Sequence, residues 1–203
     1  MDRLMPFDEL NTLKEEITDV MALPVSERKE YEDFFFYDEI LDLLIMSYVF
    51  GNEAANDMLS LSDDKAIGIE RNKLTESIDK KIVGKNWRER FEEYFENEDA
   101  TAEDIMRVAE TDSHRIYNEA IYAVGEAADS GAAGEKAKGV VYKTWETMRD
   151  DRVREPHREL QSKTIPFDSY FYTYDGQPAL APGMFGVPEL DIGCRCRLRL
   201  SVV

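Results

Sequence analysis

The segment from Cys194 to Val202 alternates between two kinds of side chain. Two cysteines, two leucines and a valine occupy every second position, and three arginines and a serine occupy the positions between them. Because successive side chains of a β-strand point to opposite faces, this period of two predicts a strand with one buried face. Both cysteines are then small apolar core residues. We interpret the row of Arg195, Arg197 and Arg199 as the solvated face of an edge strand, and a contact with DNA or an acidic partner is the alternative.

Upstream of this strand, apolar residues recur at helical spacing through most of the chain. The spacing predicts helices over residues 7–21, 26–50, 52–60, 72–83, 87–95 and 101–128. Ser26 is the expected N-cap of the second helix, and Gly51 is its expected C-terminal cap. Thr101 and Asp104 predict a capping box at the start of the last helix.

The residue pattern changes in the last third of the chain. β-branched and aromatic residues predict strands over 140–145 and 170–174, and residues 150–160 predict a short helix or a turn. We therefore expect an α+β fold, with a helical N-terminal half followed by a small, mostly antiparallel sheet at the C-terminus. We divide the chain into an acidic helical region over residues 1–100 and a C-terminal module over residues 101–203.

The charge of the chain is acidic and unevenly distributed. There are 43 acidic and 25 basic residues, and the net charge is −18. Residues 1–60 hold 15 acidic and 4 basic side chains, whereas residues 152–203 hold 6 and 7. Such a surface is unfavourable for a phosphate backbone, so direct binding of nucleic acid is not expected. The acidic front either keeps the protein soluble before assembly or meets a basic surface on a partner.

Cysteine usage and hydropathy indicate the compartment. The two cysteines are separated by one residue and do not make a disulfide framework, which favours a reducing environment. The sequence has no uncharged apolar run of the roughly 18 residues that a membrane span needs. Its first residues lack the apolar core of a signal peptide. We expect a protein that is made and used in a cytoplasm, without a membrane.

Asp151, Arg154 and His157 follow one another at three-residue steps. On a helical turn they would share one side, where a carboxylate, a guanidinium and an imidazole can form one hydrogen-bonded cluster. Three interpretations are open: a structural clasp between the last helix and the sheet, acid–base catalysis by His157 oriented by Asp151, or a metal site. We favour the clasp, because the sequence places no nucleophile, phosphate-binding loop or second acid nearby.

The metal alternative combines His157 with Cys194 and Cys196, whose thiols face one side of the predicted strand. A structural zinc ion needs four ligands, and only His114 or a carboxylate is left for the fourth position. The Cys-x-Cys spacing also differs from the usual Cys-x-x-Cys knuckle. We therefore expect no metal and no cofactor, and keep the three residues as weak candidate ligands. His114 is expected at the surface or in an interface of the long helix.

Several of these residues occur together in a fixed order between about Glu103 and Leu200. The ordered set is Ala109-Glu110-Thr111-Asp112, Arg115, Asn118, Lys143, Trp145, Asp151-Arg152-Val153-Arg154, His157, Pro182-Gly183 and Cys194-Arg195-Cys196. In this the chain resembles the phage Mu F-like head morphogenesis family, the minor capsid proteins. The family commonly has Asn before Cys-Arg-Cys, where this chain has Gly193. The structural cluster that we expect consists of Trp145, Asp151, Arg154, His157, Cys194, Arg195 and Cys196.

The resemblance implies a low-copy structural protein of the phage head rather than an enzyme. Its implied partners are the portal protein and inner capsid or scaffold proteins, and its implied location is the virion, after assembly in the host cytoplasm. Some relatives travel inside the head and affect DNA ejection. The module also occurs in larger proteins joined to toxin domains, and the seven residues after Cys196 are too few for one. The alternatives are an enzyme, or a degenerate enzyme, with the Asp-Arg-His cluster, and a zinc-stabilised interaction module.

Overall fold

The fold begins with helices and ends with short strands. The computed structural model describes residues 7–32, 36–62, 65–131 and 139–203. The helical part comprises α1 (Phe7–Met21), α2 (Val25–Glu32), α3 (Phe36–Met58), α4 (Arg71–Asp79), α5 (Trp87–Phe95) and α6 (Ala102–Ser130). The rest comprises β1 (Val141–Glu146), α7 (Glu155–Arg158), β2 (Thr164–Pro166), β3 (Phe171–Tyr172), β4 (Pro178–Ala179), α8 (Pro188–Asp191) and β5 (Arg197–Val202). The predicted α+β class is confirmed.

The main sheet has β1 at its centre, antiparallel to both neighbours, in the order β2-β1-β5. Lys143 of β1 lies opposite Leu200 of β5 and Ile165 of β2, and Trp145 lies opposite Leu198. A separate hairpin pairs β3 with β4. The predicted alternation of burial from Cys194 to Leu200 is confirmed, although the strand itself begins at Arg197. Within the described residues, no helix is long and apolar enough to cross a membrane.

Helix α6 belongs to two apolar cores. Ile105, Val108, Ile116 and Ala120 pack with residues of α1, α3 and α5. Further along, its residues Tyr117, Ile121, Val124 and Ala128 pack with the sheet and the C-terminal loops. The predicted capping box is present, because the Thr101 backbone N–H donates to the Asp104 carboxylate over 3.0 Å. At the other end, Gly131 adopts φ +70°, the left-handed conformation that commonly ends a helix.

Gly51 is not the C-terminal cap that the sequence predicted. Helix α3 runs through it without interruption to Met58 and so includes most of the predicted short helix. A Cβ at position 51 would lie 2.4 Å from the carbonyl oxygen of Tyr117 and 2.9 Å from the Cβ of Ala120. The glycine therefore allows the backbones of α3 and α6 to approach closely. The predicted 26–50 helix is two helices instead, and residues 33–35 between them lie outside the described residues.

A buried arginine joins the ends of α1 and α5. Arg28 is 4% exposed, and its guanidinium donates to the carbonyl oxygens of Met21, Leu23 and Asn97 over 2.9 to 3.0 Å. Neither α1 nor α5 has a basic residue in its last turn. Because helix C-termini carry unpaired carbonyl groups and partial negative charge, one guanidinium here serves two of them.

The connection between α4 and α5 turns tightly at Val83 and Gly84. Ile82 and Lys85 form a β-bridge around these two residues, whose φ angles are +54° and +80°. Positive φ at both central positions is the geometry of a type I′ turn, in which Asn-Gly is preferred. Val83 is a β-branched residue in this geometry, so the turn is strained at that position.

Replacing Val83 with asparagine should stabilise the protein. Val83 is 62% exposed, so the substitution removes little packing, and asparagine tolerates the left-handed conformation. The expected gain in the free energy of unfolding is about 1 kcal/mol, measured by urea denaturation. Val83→Ala is the control, since it removes the branched side chain but keeps an unfavourable residue for the turn. Equal stability of Val83→Asn and wild type would contradict the strain argument.

Candidate functional site

Two rows of polar side chains run along α6 at i, i+3, i+7 spacing, and all of them are buried except Glu119, which is partly buried. Thr111, His114 and Asn118 form the strand-facing row, directed at residues 193–198. The second, helix-facing row consists of Asp112, Arg115 and Glu119 and is directed at α4 and α5. Because buried polar groups need partners, the two rows fix how α6 is rotated between its neighbours.

The strand-facing row binds backbone groups of the C-terminal segment. The Asn118 side chain donates to the carbonyl oxygen of Cys196 over 2.9 Å and accepts from the N–H of Leu198 over 2.8 Å. It therefore pairs with the entry to β5 as a neighbouring strand would. The Thr111 hydroxyl accepts from the N–H of Gly193 over 3.1 Å. Gly193 has φ +69°, a conformation that both glycine and asparagine tolerate, which explains why either residue fits before Cys-Arg-Cys.

The helix-facing row is a buried ionic network. Asp112 is fully buried and accepts from Arg90 of α5 and from Arg115, whose Nη2 lies 2.8 Å from the carboxylate. Arg115 also donates to the backbone oxygen of Ser77 and to Glu119, over 2.8 and 2.9 Å. Each buried charge thus has an opposite charge beside it, as burial requires. The network ties α4, α5 and α6 together.

His114 is 1% exposed, so the expectation that it lies at the surface is wrong. Its place between Thr111 and Asn118 on the strand-facing row puts it beneath the C-terminal segment. Burial lowers the pKa of His114 to about 3, and the positive charges of Arg197 and Arg195 act in the same direction. The imidazole is therefore neutral in the folded protein at neutral pH.

His157, Cys194 and Cys196 meet in the interior, as the metal alternative required. The Nδ1 atom of His157 lies 3.6 Å from the Sγ atom of each cysteine, and the two thiols are free. All three side chains are buried. We call this group the thiol–imidazole cluster. It joins α7 to the segment that leads into β5.

Aromatic rings enclose the imidazole. The His157 ring stacks on Phe185 at a centroid distance of 5.4 Å and meets Trp145 edge-on at 5.5 Å. Trp145 is fully buried and also contacts Phe171 and Phe185. The Nε2 atom of His157 is buried without a hydrogen-bond partner in the described part of the chain.

The pKa values of the two thiols are shifted in opposite directions. The hydrogen bond with Cys196 and burial raise the pKa of Cys194 well above its ordinary value. The hydrogen bond from Cys194 lowers the pKa of Cys196, and the positive charges of Arg154 and Arg195 add to this effect. Cys194 is therefore the donor of the pair, and Cys196 is the thiol that ionises first.

The structure brings six of the seven predicted cluster residues together and leaves Asp151 outside. Arg154 donates to the carbonyl oxygens of Ile192 and Leu190, next to the cysteine segment. Arg195 pairs with Asp150 over 2.8 Å. Asp151 is exposed, and its backbone oxygen accepts from Arg158. The predicted helical turn over 150–160 is only the four-residue α7, so the i, i+3, i+6 steps do not bring Asp151 to the side that Arg154 and His157 occupy.

The burial of Lys143 was not predicted from the sequence. The side chain is fully buried, and its Nζ atom lies over the rings of Tyr122 and Phe167 at 5.2 Å and over that of Phe171 at 5.6 Å. Burial lowers the pKa of Lys143 to about 8, which the charge of Asp168 opposes. Ring faces stabilise the ammonium in place of water. The alternation of β1 was the available signal, since it places Lys143 on the same face as Val141 and Trp145.

Two cavities of several hundred cubic ångströms are not lined by the residues of the thiol–imidazole cluster. One of about 410 Å³ lies beside Lys80, Lys81 and Arg115, and another of about 460 Å³ lies between α3, α4 and the start of α5. Beside the cluster itself the free space is about 10 Å³, roughly the volume that one water molecule needs. The predicted cluster is thus a packed junction rather than an open substrate cleft.

A family model described as Phage Mu protein F like protein matches residues 67–199. The chain belongs to this family. The match includes both polar rows of α6, Lys143 and the thiol–imidazole cluster, and it begins upstream of the region from which the resemblance was drawn. The predicted membership of the Mu F-like minor capsid proteins is confirmed. The division of the chain at residue 101 stays a prediction.

Two relatives of this chain have names that describe different kinds of protein. The NAD(+)–arginine ADP-ribosyltransferase EFV of Enterococcus faecalis is 27% identical over 161 residues, which are 79% of this chain and 30% of that protein. The minor head protein GP7 of Bacillus phage SPP1 is 32% identical over 90 residues, which are 44% of this chain and 27% of that protein. This chain therefore spans less than a third of the length of either relative. No solved structure matches it significantly.

Replacing Asn118 with alanine should destabilise the fold. The substitution leaves the oxygen of Cys196 and the N–H of Leu198 buried without partners, which costs about 2 to 3 kcal/mol in the free energy of unfolding. Urea denaturation measures this loss. The control is Asn72→Ala, because Asn72 is exposed on α4, and its expected effect is within about 0.5 kcal/mol. Equal losses in the two variants would contradict a special role for Asn118.

The stability of the protein should depend on His114 in mild acid. The unfolded chain binds a proton at a pKa of about 6.5, whereas folded His114 binds one only near a pKa of about 3. Below about pH 6.5 the unfolded state therefore holds more protons, and the unfolding free energy falls by up to about 1.4 kcal/mol per pH unit. Urea denaturation between pH 5 and 7.5 measures the slope. His114→Gln should have a shallower slope than wild type, and identical slopes would refute this assignment.

Proposed function

We propose that this protein is a minor head protein that acts in procapsid assembly, in contact with the portal protein and with inner capsid or scaffold proteins. The family match over residues 67–199 is the observation that carries the proposal. The similarity to the minor head protein GP7 of Bacillus phage SPP1 supports it. The proposed location is the phage head, after assembly in the cytoplasm of the bacterial host, with a role in DNA packaging or ejection.

The contacts of the residues on which the family resemblance is based are consistent with a structural role. The side chains of Thr111, Asn118 and Arg154 bind backbone groups of the C-terminal segment, and Trp145 and His157 pack in the interior. These contacts fix the conformation of the C-terminal segment and leave little space for a substrate beside the thiol–imidazole cluster. The enzyme alternative required Asp151 to orient His157, and the exposed position of Asp151 does not favour it. We therefore propose that the protein acts without catalysis.

The partner contacts are proposed to lie on the acidic helical end. Glu15, Glu16 and Asp19 are exposed on α1. Arg28 holds the end of α1 beside the end of α5, where Glu96 and Glu98 are also exposed. A basic patch on the partner would complement this acidic surface and would make the association weaken as salt is raised.

Deletion of residues 1–60 would be a poor test of this proposal, because α3 supplies Ile40, Leu44 and Tyr48 to a core that α6 shares. Charge reversal in the full-length chain avoids the problem. Glu15→Lys, Glu16→Lys and Asp19→Lys together should reduce the binding of the portal protein encoded with this chain by about tenfold or more, measured by co-purification and by titration.

The matched control carries the same change in charge on the other half of the molecule. Glu155→Lys, Glu159→Lys and Glu189→Lys alter three exposed acidic residues outside the α1 surface and should leave portal binding unchanged. Equal effects of the two triple variants on portal binding would contradict the proposal that the acidic residues of α1 form the portal-binding surface. A wild-type protein that binds neither portal nor other head proteins, and is absent from purified procapsids, would contradict the proposed function itself.

A further inference from the structure

The geometry of the thiol–imidazole cluster matches that of ligands around a common metal ion. Zinc is bound at about 2.3 Å by thiolate sulfur and at about 2.0 to 2.1 Å by imidazole nitrogen, at tetrahedral angles. A thiolate sulfur and an imidazole nitrogen on one ion are therefore about 3.6 Å apart. The Nδ1 atom of His157 lies 3.6 Å from the Sγ atoms of both Cys194 and Cys196. All three ligand atoms lie within 4.8 Å of one another.

We propose that His157, Cys194 and Cys196 bind a zinc ion, with one further small ligand completing the tetrahedron. Two thiolates and an imidazole are a donor set that suits zinc, and carboxylate-preferring ions such as magnesium would not select it. The described residues offer no fourth His, Cys, Asp or Glu to this group. The space of about 10 Å³ beside it, lined also by Arg152, Arg154 and Arg195, is of the size that a water molecule fills.

The net charge of the bound site is compatible with burial. Binding would form two zinc–sulfur bonds and one zinc–nitrogen bond and would release the two thiol protons to solvent. The site formed by Zn²⁺ and two thiolates is neutral overall, so it can be buried without a counter-ion. Nδ1 binds the ion through its lone pair, which places the imidazole proton on Nε2.

The ion would link two distant parts of the C-terminal half. His157 lies in α7, and the cysteines lie 37 and 39 residues further along the chain, immediately before β5. The sulfur–nitrogen hydrogen bonds between these parts are weak. A metal in this position therefore stabilises the junction that the Thr111 and Asn118 contacts also hold. This inference is independent of the proposed role in head assembly.

Cobalt(II) substitution of the full-length, reduced protein tests the proposal. One equivalent of Co²⁺ should give the intense visible bands of a tetrahedral ion and the near-ultraviolet charge-transfer band of cobalt–thiolate bonds, and one equivalent of Zn²⁺ should abolish both. Elemental analysis after dialysis against zinc should give one ion per chain. Cys194→Ser and Cys196→Ser should each weaken binding by more than about 100-fold.

Two further variants keep the test decisive if a serine variant fails to fold. His157→Cys replaces one good zinc ligand with another and should retain a stoichiometric ion, with a stronger thiolate band. His114→Gln changes the other histidine, which lies outside the cluster, and should bind metal as wild type does. A folded wild-type protein that shows no thiolate band with Co²⁺, or only the weak bands of a six-coordinate ion, would overturn the proposal.

Discussion

The amide of Asn118 is the contact on which the arrangement of helices and sheet depends. Through its two hydrogen bonds to Cys196 and Leu198, α6 substitutes for a strand at the entry to β5. The same helix carries the Asp112 network on its other polar row, and it supplies apolar residues to both cores. Rotating α6 would leave buried groups unpaired on both sides at once, so the two halves of the molecule are fixed relative to each other through one helix.

Patterns with a strong local period could be predicted from the sequence. The α+β class, the capping box at Thr101 and the alternating burial from Cys194 to Leu200 all follow from periodicity and end signals, which act within a few residues. Gly51 shows where such reasoning stops. A glycine after an apolar run predicts a helix end, and only the proximity of Tyr117 reveals that its missing side chain makes room for another helix.

The candidate site was predictable as a set of residues but not as a geometry. The thiol–imidazole cluster was anticipated because alternation placed both thiols on one face. Asp151 is predicted beside Arg154 and His157 only if the helical turn is long enough, whereas α7 has four residues and Asp151 is exposed. His114 and Lys143 were harder, since a charged or titratable side chain is ordinarily exposed. Their burial depends on rings and backbone groups supplied by distant segments.

The contacts of α6 have a consequence for the order of events during synthesis. Thr111 and Asn118 bind groups that lie 78 to 82 residues further along the chain. While the ribosome is still adding the strands, the long helix exposes an apolar face and a row of polar groups without their final partners. Premature termination before residue 193 would leave that face open for good. The polar row of α6 therefore obtains these partners only after the C-terminal segment has been synthesised.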